Sequence, residues 1–245
     1  MSLFLNIVFR IYFKILRKKK SKLKARILSK IFISSKFKLK LLKLASLTKS
    51  QLLQELFVIS LLNFKKRGFF VEFGACDGVF FSNTLLLEKF FSWRGILAEP
   101  SRFWHNKLQR NRNCNIFYGA VSTINKENLF YENEDPGLSG LYNKKMKFTK
   151  SYTVKSIKLN KLLEMFKAPK NIDYLSIDTE GNEYKILKKL DFLKFRPKII
   201  TIEHNYRKDK ELIKRWLKKK GYSVMDLYLT KYDMWFFDRK NFFVT

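Results

Sequence analysis

The chain has 245 residues and a formal net charge of +30, with 46% hydrophobic and 16% aromatic residues. That length suits one α/β domain plus an extension, and the abundance of Phe, Leu and Ile calls for a buried core. The two cysteines, Cys76 and Cys114, exclude a disulfide framework, and no segment reads as a secretory signal, so a cytoplasmic protein with reduced thiols is expected.

The charge is unevenly spread. Residues 1–50 hold 15 Lys/Arg and no Asp or Glu, whereas residues 51–245 carry 36 basic and 21 acidic side chains, a net +15. Residues 1–50 are therefore assigned to a basic amino-terminal extension and 51–245 to the folded domain. Within the extension, Leu3–Leu16 sorts at a spacing of four into three apolar rows and one polar row of Asn6, Arg10, Lys14 and Lys18. This pattern predicts a helix with a wide apolar face and a narrow basic edge. It is too short and too charged to span a bilayer. The basic run Arg17–Arg26 follows. Together they predict peripheral contact with an anionic membrane through residues 1–45, on its cytoplasmic face. A helix packed on the domain or on a partner chain, with its basic residues merely solvated, is the alternative, and nucleic acid is the weakest partner.

From residue 50 the chain alternates. A helix is predicted over Gln51–Phe64. Strands are predicted at Phe69–Phe73, Arg94–Ala98, Asn115–Tyr118, Asp173–Ile177 and Lys198–Ile202. Helices are predicted near Asn83–Phe91, Ser101–Arg110, Glu183–Leu190 and Asp209–Lys219. The segment Glu127–Thr153, with its DPGLSG run, reads as a turn-rich insertion. Tyr222–Leu229 and Met234–Phe237 read as a closing antiparallel strand pair. Strands alternating with helices predict a parallel sheet covered on both faces.

Ligands of open α/β sheets bind beyond the carboxyl ends of the strands. In this chain four of five such ends carry an acid. The first strand holds Glu72 and runs into Gly74-Ala75-Cys76-Asp77-Gly78, where glycine permits close backbone approach to a ligand. The second ends in Glu99, able to accept both hydroxyls of a ribose. After the third come Val121 and Ser122. The fourth ends in Asp178-Thr179-Glu180-Gly181 and the fifth in Glu203-His204-Asn205. Gly74 and Gly78 lack the middle glycine of the dinucleotide fingerprint, which weighs against a nicotinamide enzyme. No His/Cys cluster has zinc spacing, and no metal is assigned.

The segments FVEFGACDGVFFSNTLLLEK, WRGILAEP, IDYLSIDTEGNEYKILKKLDF and IITIEHN resemble the FkbM family of S-adenosylmethionine (SAM) dependent methyltransferases. The resemblance runs from about Gly68 to the C-terminus. It implies a Rossmann-like class I methyltransferase fold with a seven-stranded, mostly parallel sheet whose last strand is inserted antiparallel. It also implies O-methylation, often of sugars or related natural products. By the resemblance, Glu72, Gly74 and Gly78 surround the methionine part of SAM, and Asn83 and Thr84 meet its carboxylate at a helix N-terminus. Glu99 binds the ribose, Val121 and Ser122 flank the adenine, and Asp178, Glu180 and Glu183 lie near the methyl donor and acceptor. His204 is the first choice of base for a hydroxyl acceptor because imidazole titrates near neutrality, followed by Asp178 or Glu180. His105 is read as a surface residue. The acceptor expected is a sugar hydroxyl of a glycan or glycolipid. The competing expectation is a membrane-associated scaffold that keeps the fold without turnover. A nucleic-acid methyltransferase is disfavoured, because DTEG stands where a Pro-Pro-aromatic motif would follow the fourth strand.

Overall fold

A computed structural model describes residues 40–41, 43–141, 148–225, 230 and 232–242. The amphipathic helix predicted over Leu3–Leu16 and the basic run Arg17–Arg26 lie outside the described residues. In chain order the elements are α1 (Gln54–Leu61), β1 (Phe69–Phe73), α2 (Leu85–Phe91), β2 (Arg94–Ala98), α3 (Arg102–Asn111), β3 (Asn115–Phe117) and β4 (Ala120–Ser122). Then follow β5 (Glu127–Glu132), a 3-10 turn (Pro136–Leu138), β6 (Gly140–Leu141), β7 (Lys150–Lys158), α4 (Leu159–Met165), β8 (Tyr174–Ile177) and α5 (Glu183–Lys188). The chain closes with β9 (Ile199–Glu203), α6 (Lys210–Lys219), β10 (Tyr222–Met225), β11 (Asp233–Asp238) and α7 (Arg239–Phe242).

Seven strands form one sheet in the order β10-β11-β9-β8-β1-β2-β3. All neighbours are parallel except β11, which runs antiparallel between β9 and β10. This is the class I methyltransferase topology expected from the sequence. Strand order reverses between β1 and β8, the switch point where such sheets open a ligand crevice.

The strands are apolar because both faces are covered. Phe69, Val71 and Phe73 point into one core with Leu162 and Leu163 of α4, Ile186 and Leu187 of α5, and Ile213 and Leu217 of α6. Phe70 points the other way, onto Phe57 and Val58 of α1, Leu86 and Leu87 of α2, and Leu108 of α3. The period of two along β1 assigns successive side chains to opposite layers. Each such Phe or Leu contributes roughly 1.5–3 kcal/mol on burial. Leu41, Leu44 and Leu52 join the second core, so residues from about 41 onward pack on the domain although their composition groups them with the extension.

The segment predicted as a turn-rich insertion is largely strand. β5 pairs antiparallel with both β6 and β7, and β4 pairs parallel with β7, making a second, four-stranded sheet. Within DPGLSG, Asp135 Oδ1 accepts the Gly137 N–H at 3.0 Å and starts the 3-10 turn, and Gly140 already opens β6; residues 142–147 lie outside the described residues. Helix α4 was not predicted, although Leu159, Leu162 and Leu163 carry helical spacing and are buried. The antiparallel closing pair is present, with β10 observed over Tyr222–Met225; residues 226–229 lie outside the described residues. Among the described residues no helix is long and apolar enough to cross a membrane.

Candidate active site

A cleft opens at the carboxyl ends of β1, β2 and β8. The space within it is about 590 Å³ with the open solvent at its mouth included. Gly74, Cys76, Glu99, Val121, Asp178 and Glu180 line it, and Phe130 with the turn at Pro136 and Gly137 reaches over it from the second sheet.

Gly74 has φ +71°, and a Cβ there would stand 2.5 Å from the Asp178 carbonyl oxygen. The loops leaving β1 and β8 therefore touch backbone to backbone, which only glycine allows. Gly78, φ +78°, is tight for another reason: a Cβ would meet Arg112 Cγ at 2.5 Å. It lies behind the cleft, against α3.

Glu99 lines the cleft and is 4% exposed. Its Oε2 accepts the Cys76 N–H at 2.7 Å and its Oε1 the Ser101 N–H at 2.8 Å. Burial pushes its carboxyl up to about 7, against the pull of those two backbone bonds. A carboxylate offers about four lone-pair sites, so two remain for a ligand's hydroxyls. His105 donates through Nε2 to the Glu99 carbonyl at 3.0 Å, and its ring packs at a tilt of 54° against Tyr118. It is half-buried support beneath the acid, not the surface residue its helix position suggested.

Glu72 does not line the cleft. It is 2% exposed, and its Oε1 accepts the Asn83 N–H at 2.7 Å while its Oε2 takes the hydroxyls of Ser82 and Thr84. Arg112 stands 3.9 Å away and donates to Glu88, the Gly78 carbonyl, Ser82 and Thr84. Glu72 is thus the buried anchor that folds the loop over β1. Thr84 is wholly buried in this network. Asn83 turns its amide to Ser176 Oγ at 3.0 Å, leaving Oδ1 buried without a partner. The N–H groups opening α2 are already spent: Thr84 and Leu85 donate to Ser82 Oγ and Leu86 to Glu55 Oε1. The N–H groups of Asn83, Thr84, Leu85 and Leu86 are therefore taken, and the backbone at Asn83 and Thr84 has no donor left for a ligand carboxylate. Val121 faces the cleft from β4; Ser122, its neighbour, is buried outside it.

The acidic end of the cleft joins two strand ends. Asp178, Glu183 and Glu203 bring carboxylate oxygens within 4.8 Å of one another, and by spacing alone they could hold a cation. The positive group in range is Arg207, with Nη2 3.1 Å from Glu183 and 3.7 Å from Glu203, and Nη1 3.6 Å from Glu180. Burial, then the charges of Glu203, Glu180 and Glu183, hold the Asp178 carboxyl well above the usual range. Burial and the Glu180 charge push Glu203 up to about 8. Burial also raises Glu180, against the opposing pull of Arg207. His204 is 1% exposed and borders no part of the cleft. Its Nδ1 accepts the Tyr206 N–H at 2.9 Å, its Nε2 is buried without a partner, and burial lowers its affinity for a proton. A base must reach the hydroxyl it deprotonates, and His204 has no surface from which to do so. Cys76 lines the cleft, but burial and the nearby Glu99 charge push its thiol far up, leaving no thiolate at neutral pH.

A model of the FkbM methyltransferase domain matches residues 72–224. The chain belongs to the FkbM methyltransferase family. A structure of methyltransferase FkbM from Methylobacillus flagellatus KT is 12% identical, covers 94% of this chain and 58% of its own, and has a TM-score of 0.50. A precorrin-6y C5,15-methyltransferase from Geobacter metallireducens GS-15 is 11% identical over 73% of this chain and 77% of that one, TM-score 0.43. A methyltransferase from Pyrococcus furiosus is 14% identical over 77% and 83%, TM-score 0.40. At 12% identity the likeness to the Methylobacillus flagellatus structure is one of fold. No curated protein matches the chain in sequence. Family and fold together imply a methyl donor.

Proposed function

We propose that the FkbM domain binds SAM in the cleft and methylates a hydroxyl, most simply a sugar hydroxyl of a glycan or glycolipid. The observation that carries this reading is the pairing of Glu99 with Asp178 and Glu180 in one cleft. SAM carries an adenosine ribose at one end and a sulfonium and ammonium at the other. Glu99 supplies spare acceptor sites for the two ribose hydroxyls, and Val121 and Phe130 give an apolar wall for the adenine. The crowded carboxylates, Asp178 above all, suit a cationic group, since a nearby positive charge favours their ionised forms. When bound, SAM supplies an electrophilic methyl group.

The protein's share is positioning and proton removal. Asp178 and Glu180 line the cleft, and both have raised proton affinity. A base must reach the hydroxyl it deprotonates, and these two carboxylates line the cleft, so they take the role that the sequence reading gives first to His204. The turn at Pro136 and Gly137, overhanging the cleft, supplies one wall of the acceptor site. Peripheral attachment of the extension to an anionic membrane, through the part of residues 1–45 that precedes Leu41, would bring this site to a lipid-linked acceptor. Incubating the chain with isotope-labelled SAM and lipid-linked glycan extract tests the assignment. Label in an alkali-stable methyl ether supports it; SAM binding with no transfer to any acceptor pool favours the scaffold reading instead.

A further inference from the structure

The turn that delivers Asp178 and Glu180 to the cleft is held in an unfavourable shape. Glu180 has φ +53° and Gly181 φ +121°, two consecutive residues in the left-handed half of the map. A non-glycine residue there is strained and persists only where its surroundings over-determine it. Part of the hold is local: Glu183 folds back so that its Oε1 accepts the Thr179 N–H at 3.0 Å, the Thr179 hydroxyl at 3.2 Å and the Gly181 N–H at 2.9 Å. Glu183 is fully buried, and its Oε2 has no hydrogen bond. The turn therefore depends on a buried carboxylate that needs a countercharge from elsewhere.

That charge arrives from a different strand end. Arg207 leaves the loop after β9 and lies in ion-pair range of Glu183, Glu180 and Glu203 at once. Its Nε and Nη2 are buried without hydrogen bonds, so charge and not directional bonding holds it there. Asp178, the remaining acid of the group, has no ion pair with any described cation, and it faces the cleft.

We propose that Arg207 is a positioning residue for methyl transfer: it clamps the turn after β8 to the end of β9 and thereby fixes Asp178 and Glu180 against the donor. By pairing with Glu180, Glu183 and Glu203, it leaves Asp178 as the acid of the group with no ion pair to a described cation, and so the one to meet the ligand's positive charge in the cleft. This inference rests on the SAM reading above.

The test compares wild type, Arg207→Gln and Arg207→Lys as full chains, with Glu180→Gln as a second way of loosening the clamp should Arg207→Gln fold poorly. Calorimetry gives the SAM dissociation constant, and hydrogen exchange of the ligand-free proteins reports the Thr179 and Gly181 amides. Arg207→Gln is expected to weaken SAM binding roughly tenfold, as for loss of one partly buried ionic contact. The same variant should speed exchange at Thr179 and Gly181 while leaving the β1 amides unchanged. Arg207→Lys should recover most of the affinity, because charge is what the site requires. Unchanged affinity and unchanged exchange in Arg207→Gln would overturn the clamp, as would an Arg207→Lys protein no better than Arg207→Gln. A wild-type chain that binds no SAM overturns the cofactor reading instead; the exchange rates of the ligand-free proteins then decide for or against the clamp by themselves.

Discussion

Replacing Glu99 with alanine tests the ribose assignment, and its two consequences separate cleanly. In the ligand-free protein Glu99 holds the Cys76 and Ser101 N–H groups at 2.7 and 2.8 Å. Its removal leaves two backbone donors without their acceptor at a site only 4% exposed, at a cost of roughly 1–3 kcal/mol for each that water cannot reach. That loss appears in the melting temperature. The loss of affinity comes from the two ribose contacts, each a hydrogen bond to a charged acceptor worth about 1.5–3 kcal/mol. Together they predict a SAM dissociation constant raised by roughly a hundredfold or more. The assay is calorimetric titration with SAM, at a temperature where circular dichroism shows the variant folded. Glu99→Gln should fall between, because it keeps the shape and one acceptor oxygen but turns an NH2 toward one of the two backbone donors. A folded Glu99→Ala protein that binds SAM within threefold of wild type would refute the assignment.

Other outcomes follow from the buried polar groups. Arg112→Met removes the cation that serves Glu72 and Glu88; breaking such a buried pair costs about 3–5 kcal/mol, to be read from urea unfolding. Glu55 accepts the Leu86 N–H and the Thr48 hydroxyl, and burial raises its carboxyl from 4.5 to about 7. A raised folded-state pKa gives stability that is complete below the unfolded value and lost as pH rises through the folded one. Between pH 4.5 and 8.5 wild type should therefore lose roughly 3 kcal/mol relative to Glu55→Gln, and parallel pH curves for the two proteins would argue against it. His204→Asn keeps an acceptor for the Tyr206 N–H, so SAM affinity and methyl transfer should stay within a few-fold of wild type; a hundredfold loss of transfer would return His204 to the reaction.

The sheet was legible because its strands are short apolar runs with acids at their ends, and β1 and β2 fall on the residues expected. Its faces were legible too, since Phe69, Phe70 and Val71 cannot all be apolar unless both sides are covered. The second sheet was hidden for a physical reason. β5 and β7 are half-exposed, with Glu127 and Lys155 paired across them, and their polar residues and the DPGLSG turn imitate a loop. At the site, sequence order picked out the acids but could not say which way each points. Glu72 and Glu99 end neighbouring strands of similar pattern, yet Glu72 turns inward to Ser82, Asn83 and Thr84, while Glu99 reaches the cleft. Arg112 and Arg207 carry no local signal among 51 Lys and Arg; what marks them out is the tertiary grouping of carboxylates around them, Glu72 and Glu88 about the buried Arg112 and Glu180, Glu183 and Glu203 about the half-buried Arg207. His204 attracted attention through its titration range, and its burial, a tertiary property, removes it from the reaction site.

Calorimetric titration of the full wild-type chain with SAM near neutral pH tests most directly whether the cleft at the carboxyl ends of β1, β2 and β8 is a SAM site. Saturable binding with one SAM per chain is expected, lost or strongly weakened in Glu99→Ala. A folded wild-type protein that takes up no SAM, or one whose binding ignores Glu99, would contradict it.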